Sequence, residues 1–157
     1  MTVVLLAKIL TVSDGVAGGS RPDKGGPAVA EYLESQGFAI AERRVVPDGA
    51  HEVSAALEMM ASGFAGLLVT TGGTGFGPRD STPEGTRSVI DREAPGLAEA
   101  MRLVNPLGRL SRGVAGVKNQ ALVLNLPGSP TGAVECLGAV IDVIPHALEL
   151  LSGGRPH

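Results

Sequence analysis

Apolar and polar positions alternate in blocks of changing period along this chain, and the blocks predict its elements. Val3–Val12 is apolar except for Lys8 and Thr11 and reads as a strand, closed by Ser13-Asp14-Gly15. Loop chemistry then runs to Gly26. Pro27 opens a helix to about Gln36, with Ala28, Tyr32 and Leu33 at helical spacing and Gly37 placed to cap its end. Phe38–Val46 is a second strand and Pro47-Asp48-Gly49 a turn. His51–Ala61 is a helix carrying Val53, Ala56, Leu57 and Met60 along one face. Leu67–Thr71, in the apolar run that starts at Gly66, has the pattern of a parallel strand covered on both faces. Pro83–Asp91 is helical, and Pro95 restarts a helix to about Arg102. Asn105–Gly113 shows no assignable period. Ala121–Leu126 is a strand, Pro127-Gly128-Ser129-Pro130 a sharp turn, Thr131–Val143 a helix, and Pro145–Leu151 a second one.

The order βαβαβα, an unassigned segment, then βαα predicts an α/β fold in three layers, α/β/α, with a mostly parallel sheet and helices on both faces. Such sheets bind ligands beyond the carboxyl ends of their strands. Polar clusters stand at those ends: Ser13-Asp14 after the first strand, Asp48 after the second, a glycine-rich loop with Asp80 after the third, and Asn125 to Pro130 after the last. Right-handed crossovers would bring these loops to one edge of the sheet and so to a common pocket.

Composition narrows the function. At 157 residues the chain is expected to form a single domain, 1–157, large enough to bury a core without disulfide or metal staples. With 13 Lys and Arg against 16 Asp and Glu the net charge is -3, and no basic run follows a nucleic-acid backbone, so nucleic acid is not an expected partner. Apolar runs fall far short of the roughly 20 residues that span a bilayer. No membrane association is expected, and the single cysteine, Cys136, accords with a cytoplasmic, reducing location. Glycine is abundant, 23 residues, and gathers between apolar segments without forming a repeat, which favours structured loops over a flexible linker.

The stretch Thr70–Glu84, TTGGTGFGPRDSTPE, carries the chemistry. It joins a buried strand to a helix whose start is signalled by the Ser81 hydroxyl, Pro83 in the first turn and Glu84 three residues past Ser81. Gly72, Gly73, Gly75 and Gly77 allow backbone N–H groups to converge on phosphate oxygens. Asp80 beside a phosphate requires a cation between them, which a magnesium nucleotide supplies. Two familiar nucleotide motifs are excluded. Lys8, Lys24 and Lys118 are followed by Ile, Gly and Asn, so there is no P-loop, and the glycines follow the third strand in the wrong spacing for a dinucleotide fingerprint. Plainer readings stand beside these. Asp48 in Pro-Asp-Gly suits a type I turn, Asp80 suits a helix cap, Lys24 suits a solvated loop, and Cys136, among Val134, Leu137 and Val140, suits a buried small hydrophobe. His51 and His146 have no second histidine at ligand spacing, which argues against zinc.

Thr70–Gly75 with Arg79–Glu84 resembles the signature of the molybdenum cofactor biosynthesis domain, the family of molybdopterin adenylyltransferases of MogA/MoaB type. Val12-Ser13-Asp14 with Asp23–Pro27, Val46-Pro47-Asp48, and Leu124–Pro130 are similar to three further family segments, and Asp91-Arg92-Glu93, Pro95-Gly96 and Leu110-Ser111-Arg112 also match. The segment at Gly26 departs from the serine-glycine-proline of many relatives. The resemblance covers nearly the whole chain. It implies an enzyme, a nucleotidyltransferase that moves AMP from magnesium ATP to the phosphate of molybdopterin, working as a homotrimer or hexamer. A downstream molybdenum-insertion protein is the implied further partner. The family's two essential aspartates fall on Asp48 and Asp80, implied as catalytic residues and as magnesium ligands. Ser13, Lys24, Gly72, Gly73, Thr74, Gly75, Asn125, Pro127, Gly128 and Ser129 are the implied nucleotide- and pterin-binding positions. The alternative is a module of the same fold that binds molybdopterin without catalysis.

Overall fold

A computed structural model describes residues 4–154. Six strands form one sheet in the order β2-β1-β3-β6-β5-β4. The first three, β1 (Leu5–Val12), β2 (Phe38–Val46) and β3 (Gly66–Thr71), run parallel with β6 (Ala121–Leu126), while β5 (Ala115–Lys118) and β4 (Arg92–Glu93) close one edge antiparallel. The expected start of the first strand, Val3, lies outside the described residues. The sheet alternates its apolar residues between two cores. Ile9, Leu67, Val69, Leu122, Leu124 and Leu126 face α2 (Gly25–Ser35), α5 (Pro95–Arg102), α6 (Pro130–Val140) and α7 (Ile144–Leu151). Leu10, Val12, Leu68, Ala121 and Val123 face α3 (Ala50–Ala61) and Val89, just past the end of α4 (Thr82–Arg87). The three-layer arrangement with a mostly parallel sheet is as the alternation predicts.

Three local readings differ. Asp14–Ala17 forms one short helical turn, α1, that the loop composition conceals. Asn105–Gly113 contains a 3-10 turn, Pro106–Leu110, started by the Asn105 side chain accepting from the Leu107 N–H at 2.9 Å. Ser81 sits at the N-cap of α4 without a side-chain capping bond. Thr82 takes over the junction, its hydroxyl donating to the Gly72 carbonyl at 2.8 Å.

Position matters most at β1 and β3. Chain order places β2 on one side of β1 and β3 on the other, so the connection leaving β1 runs toward β2 while the one leaving β3 runs the opposite way, toward β6, β5 and β4. The loops beyond their carboxyl ends therefore diverge and open a crevice, the place where sheets of this kind hold ligands.

Candidate active site

The crevice is a cavity of about 460 Å³. Ser13 and Val12 come from the end of β1, Lys24 from the start of α2, Asp48 from the turn after β2, and Gly72, Gly73 and Asp80 from the loop after β3; Gly128 closes it from the turn after β6. Four loops distant in sequence thus meet at one edge. Two glycines are required by this geometry. Gly72 has φ 106 and a Cβ there would run into the Val12 carbonyl oxygen; Gly73 has φ 72 and a Cβ there would strike the Thr82 hydroxyl and stand 3.1 Å from Asp48 Oδ1.

Asp48 is half-buried. Its Oδ2 accepts from the Asp14 N–H at 3.0 Å, while Oδ1 is buried without a hydrogen-bond partner. Burial pushes the Asp48 carboxyl above the usual carboxylate range, and the charges of Asp14 and Asp80 push the same way. An orphaned carboxylate oxygen in a polar crevice has the chemistry of a cation ligand. Asp80 folds back under its own loop, where Oδ2 accepts from the Gly77 N–H at 3.0 Å. Among the described residues no three His, Cys, Asp or Glu side chains gather into a group able to hold a metal unaided. Magnesium carried by a nucleotide needs only one or two carboxylates, because substrate phosphates and water complete its shell. Asp48 and Asp80 fit that requirement.

The cations around the crevice divide into two kinds. Arg21 and Lys24 line it with no ion-pair partner among the described residues. Arg79 and Arg112 are spent on the loops. Arg79 donates to both Asp14 carboxylate oxygens at 3.1 Å and to the Asp48 carbonyl at 2.9 Å, and this ion pair holds the Asp14 carboxyl below the usual range. Arg112 reaches across from the segment before β5. Its backbone N–H donates to the Thr74 carbonyl, its Nε to the Gly75 carbonyl, its Nη2 to the Asp80 carbonyl, and its Nη1 meets the Glu84 carboxylate at 2.6 Å. One arginine therefore fixes the glycine loop along its length. In the sequence Arg112 stands only within a segment of family resemblance, and no local pattern gives Asp14, Arg79 or Arg21 a role; the one signal is Arg79 beside four glycines.

Other expected site residues sit differently. Thr74 is buried within the glycine loop and Gly75 lies over Asp80. Asn125 is buried, donating to the Thr70 and Thr86 hydroxyls and accepting from the Val114 N–H, so its amide is used up in tying three elements together. The turn after β6 alternates its residues. Gly128 and Pro130 face the polar crevice, whereas Pro127 and Ser129 face a second, apolar cavity of about 410 Å³ between α5, the 3-10 turn and α6, bounded also by Met101, Leu107 and Cys136. Ser13 and Ser129 also cap α1 and α6, accepting from the N–H groups of Val16 and Gly132.

Known proteins resemble this chain in sequence and fold. The probable molybdopterin binding domain matches residues 8–146. The molybdopterin adenylyltransferase of Escherichia coli K12 is 37% identical over 165 residues, covering 92% of this chain and 84% of that one. The crystal structure of the molybdopterin biosynthesis enzyme MoaB from Thermus thermophilus is 48% identical with a TM-score of 0.89, covering 96% and 98% of the two chains. The molybdopterin biosynthesis Mog protein from Mycobacterium ulcerans is 43% identical with a TM-score of 0.87, covering 94% and 99%. With a family model over residues 8–146 and relatives and solved structures matched over more than nine-tenths of its length, this chain belongs to the MogA/MoaB-type molybdenum cofactor biosynthesis family.

Proposed function

We propose that this protein is a molybdopterin adenylyltransferase, in which a phosphate oxygen of molybdopterin attacks the α-phosphorus of magnesium ATP, the bond to the β-phosphate breaks, and adenylylated molybdopterin and pyrophosphate leave. The observation that carries the reading is the buried, unpartnered Asp48 Oδ1 in a crevice shared with Asp80 and floored by Gly72 and Gly73. Transfer of this kind needs positioning and charge stabilisation and no side-chain nucleophile. Magnesium, when bound with the nucleotide, neutralises the phosphate charge that would otherwise face these carboxylates. Asp48 and Asp80 would hold it. The N–H groups of the glycine loop and the unpaired Lys24 would meet phosphate oxygens, and Ser13 and Gly128 would wall the crevice. The apolar cavity on the other side of Pro127 and Ser129 would take a flat ring system. The cytoplasm, where magnesium ATP is abundant, is the proposed setting.

The test is incubation of the pure protein with molybdopterin and magnesium ATP, with mass spectrometry of the pterin products. Adenylylated molybdopterin formed in step with pyrophosphate is the expected result. Binding of molybdopterin without product would instead identify a non-catalytic binding module. Asp80→Asn keeps the shape of the side chain and removes its charge, and it should cost about 3 kcal/mol of transition-state stabilisation, roughly a hundredfold in rate.

A further inference from the structure

Asp14 and Asp48 are 34 positions apart, yet each carboxylate accepts the other residue's backbone N–H, at 3.1 and 3.0 Å. Two carboxylates brought this close repel, and Arg79 sits across the pair: Nε and Nη2 hold the two oxygens of Asp14 while Nη2 also reaches the Asp48 carbonyl. The arrangement fixes which oxygen of Asp48 is free. Oδ2 is spent on the Asp14 N–H, and Oδ1 stays buried without a partner, with the Gly73 backbone close on its other side. Asp14 itself is exposed and does not line the crevice. Its carboxylate acts on the loop after β2 and not on a ligand.

We propose that Asp14, clamped by Arg79, is a positioning residue whose carboxylate holds the Asp48 backbone N–H, and so keeps Asp48 Oδ2 within reach of the Asp14 N–H and Oδ1 turned to the cation site. The proposal rests on the reading of Asp48 as a magnesium ligand. Groups that orient a ligating carboxylate through hydrogen bonds matter nearly as much as the ligand, and their loss typically weakens metal binding by about 10–100-fold. Arg79 contributes by cancelling the Asp14 charge at Asp48 and by holding the two loops in register.

Free manganese, followed by electron paramagnetic resonance in the presence of a non-hydrolysable ATP analogue, provides a readout independent of turnover. Asp48→Asn should weaken manganese binding by about tenfold or more. Asp14→Ala should weaken it to a similar degree with the fold intact by circular dichroism, and Arg79→Gln should weaken it in the same direction. The double variant should be no worse than Asp14→Ala alone, because the two residues act as one unit. Asp14→Asn still offers an oxygen to the Asp48 N–H and should stay within about threefold of the parent. Unchanged binding in Asp14→Ala and Arg79→Gln, with Asp48→Asn weakened, would overturn the positioning role and leave Asp14 as a helix-start acid. Equal losses in Asp14→Asn and Asp14→Ala would overturn it too, by making Asp14 a direct ligand. Unchanged binding in Asp48→Asn would remove the reading of Asp48 as a ligand and the proposal with it.

Discussion

Asp48 and Asp23 are two aspartates of the same crevice with opposite consequences for stability. The Asp48 carboxyl is held above the usual range by burial first, then by Asp14 and Asp80. A carboxyl whose pKa is higher folded than unfolded binds its proton more tightly in the native state. Stability therefore falls as pH rises from the ordinary carboxylate value through the raised native one. Once ionised, Asp48 is a cost that the fold carries. Asp48→Asn should then keep or raise Tm at pH 7 while activity drops by about a hundredfold or more, and the difference in Tm from the parent should shrink as pH is lowered through the carboxylate range. A lower Tm for the variant at pH 7 would mark Asp48 as a structural turn residue. Asp23 is the contrary case. It accepts from the Gly26 N–H at 2.9 Å at the start of α2 and from the Thr11 hydroxyl at 2.9 Å, and it pairs with Arg43. Asp23→Asn should lower stability by about 1 kcal/mol in urea unfolding and leave kcat close to that of the parent.

At the scale of elements, what was legible in the sequence had enough length to show a period. The parallel strands and α2, α3 and α6 bury residues at regular spacing, and the apolar pattern of Leu67–Val69 or Val53–Met60 reports it directly. The antiparallel edge did not show. β4 is two residues and β5 is four, too short to alternate; β5 exists because β6 offers a free edge to pair with, and β4 because β5 offers the next one. The crevice was legible to the extent that polar residues followed strand ends. Its internal wiring was not, since Asp14 with Arg79, or Arg112 with the glycine loop, are contacts across 65 and 37 residues that no local pattern encodes. Arg112 illustrates the point at element scale. It bridges the antiparallel edge to the loop after β3, and Arg112→Ala leaves the Gly75 and Asp80 carbonyls without that donor. Loss of these charged hydrogen bonds, partly replaced by water, should cost about 1–2 kcal/mol. Hydrogen exchange should rise selectively over residues 74–80, with the strands unaffected. Uniformly faster exchange across the sheet would mean that Arg112 supports the whole fold instead of the loop.

For the molecule as a whole, the distribution of apolar surface is uneven. Leu103, Val104, Leu107 and Leu110 are 84, 41, 72 and 53% exposed and follow one another through the end of α5 and the 3-10 turn. Single exposed leucines are ordinary, but four large apolar residues this close together make a patch of the kind that marks an association surface. Val104 and Leu107 also border the apolar cavity, so whatever covers the patch would narrow the mouth of that cavity. The expected occupant is a second copy of this chain, in keeping with the threefold assembly implied by the sequence resemblance. A charge placed at the centre of such a contact must be desolvated without a partner, which costs several kcal/mol and is enough to dissociate a micromolar assembly. Light scattering at micromolar concentration should give a multiple of the 15.9 kDa chain mass for the parent and the monomer mass for Leu107→Glu. The variant should keep its circular dichroism spectrum and its melting cooperativity, because residue 107 is exposed in the isolated chain and buries no core contact. A parent that scatters as a monomer, or a Leu107→Glu protein that assembles as well as the parent, would show that this segment is not where copies meet.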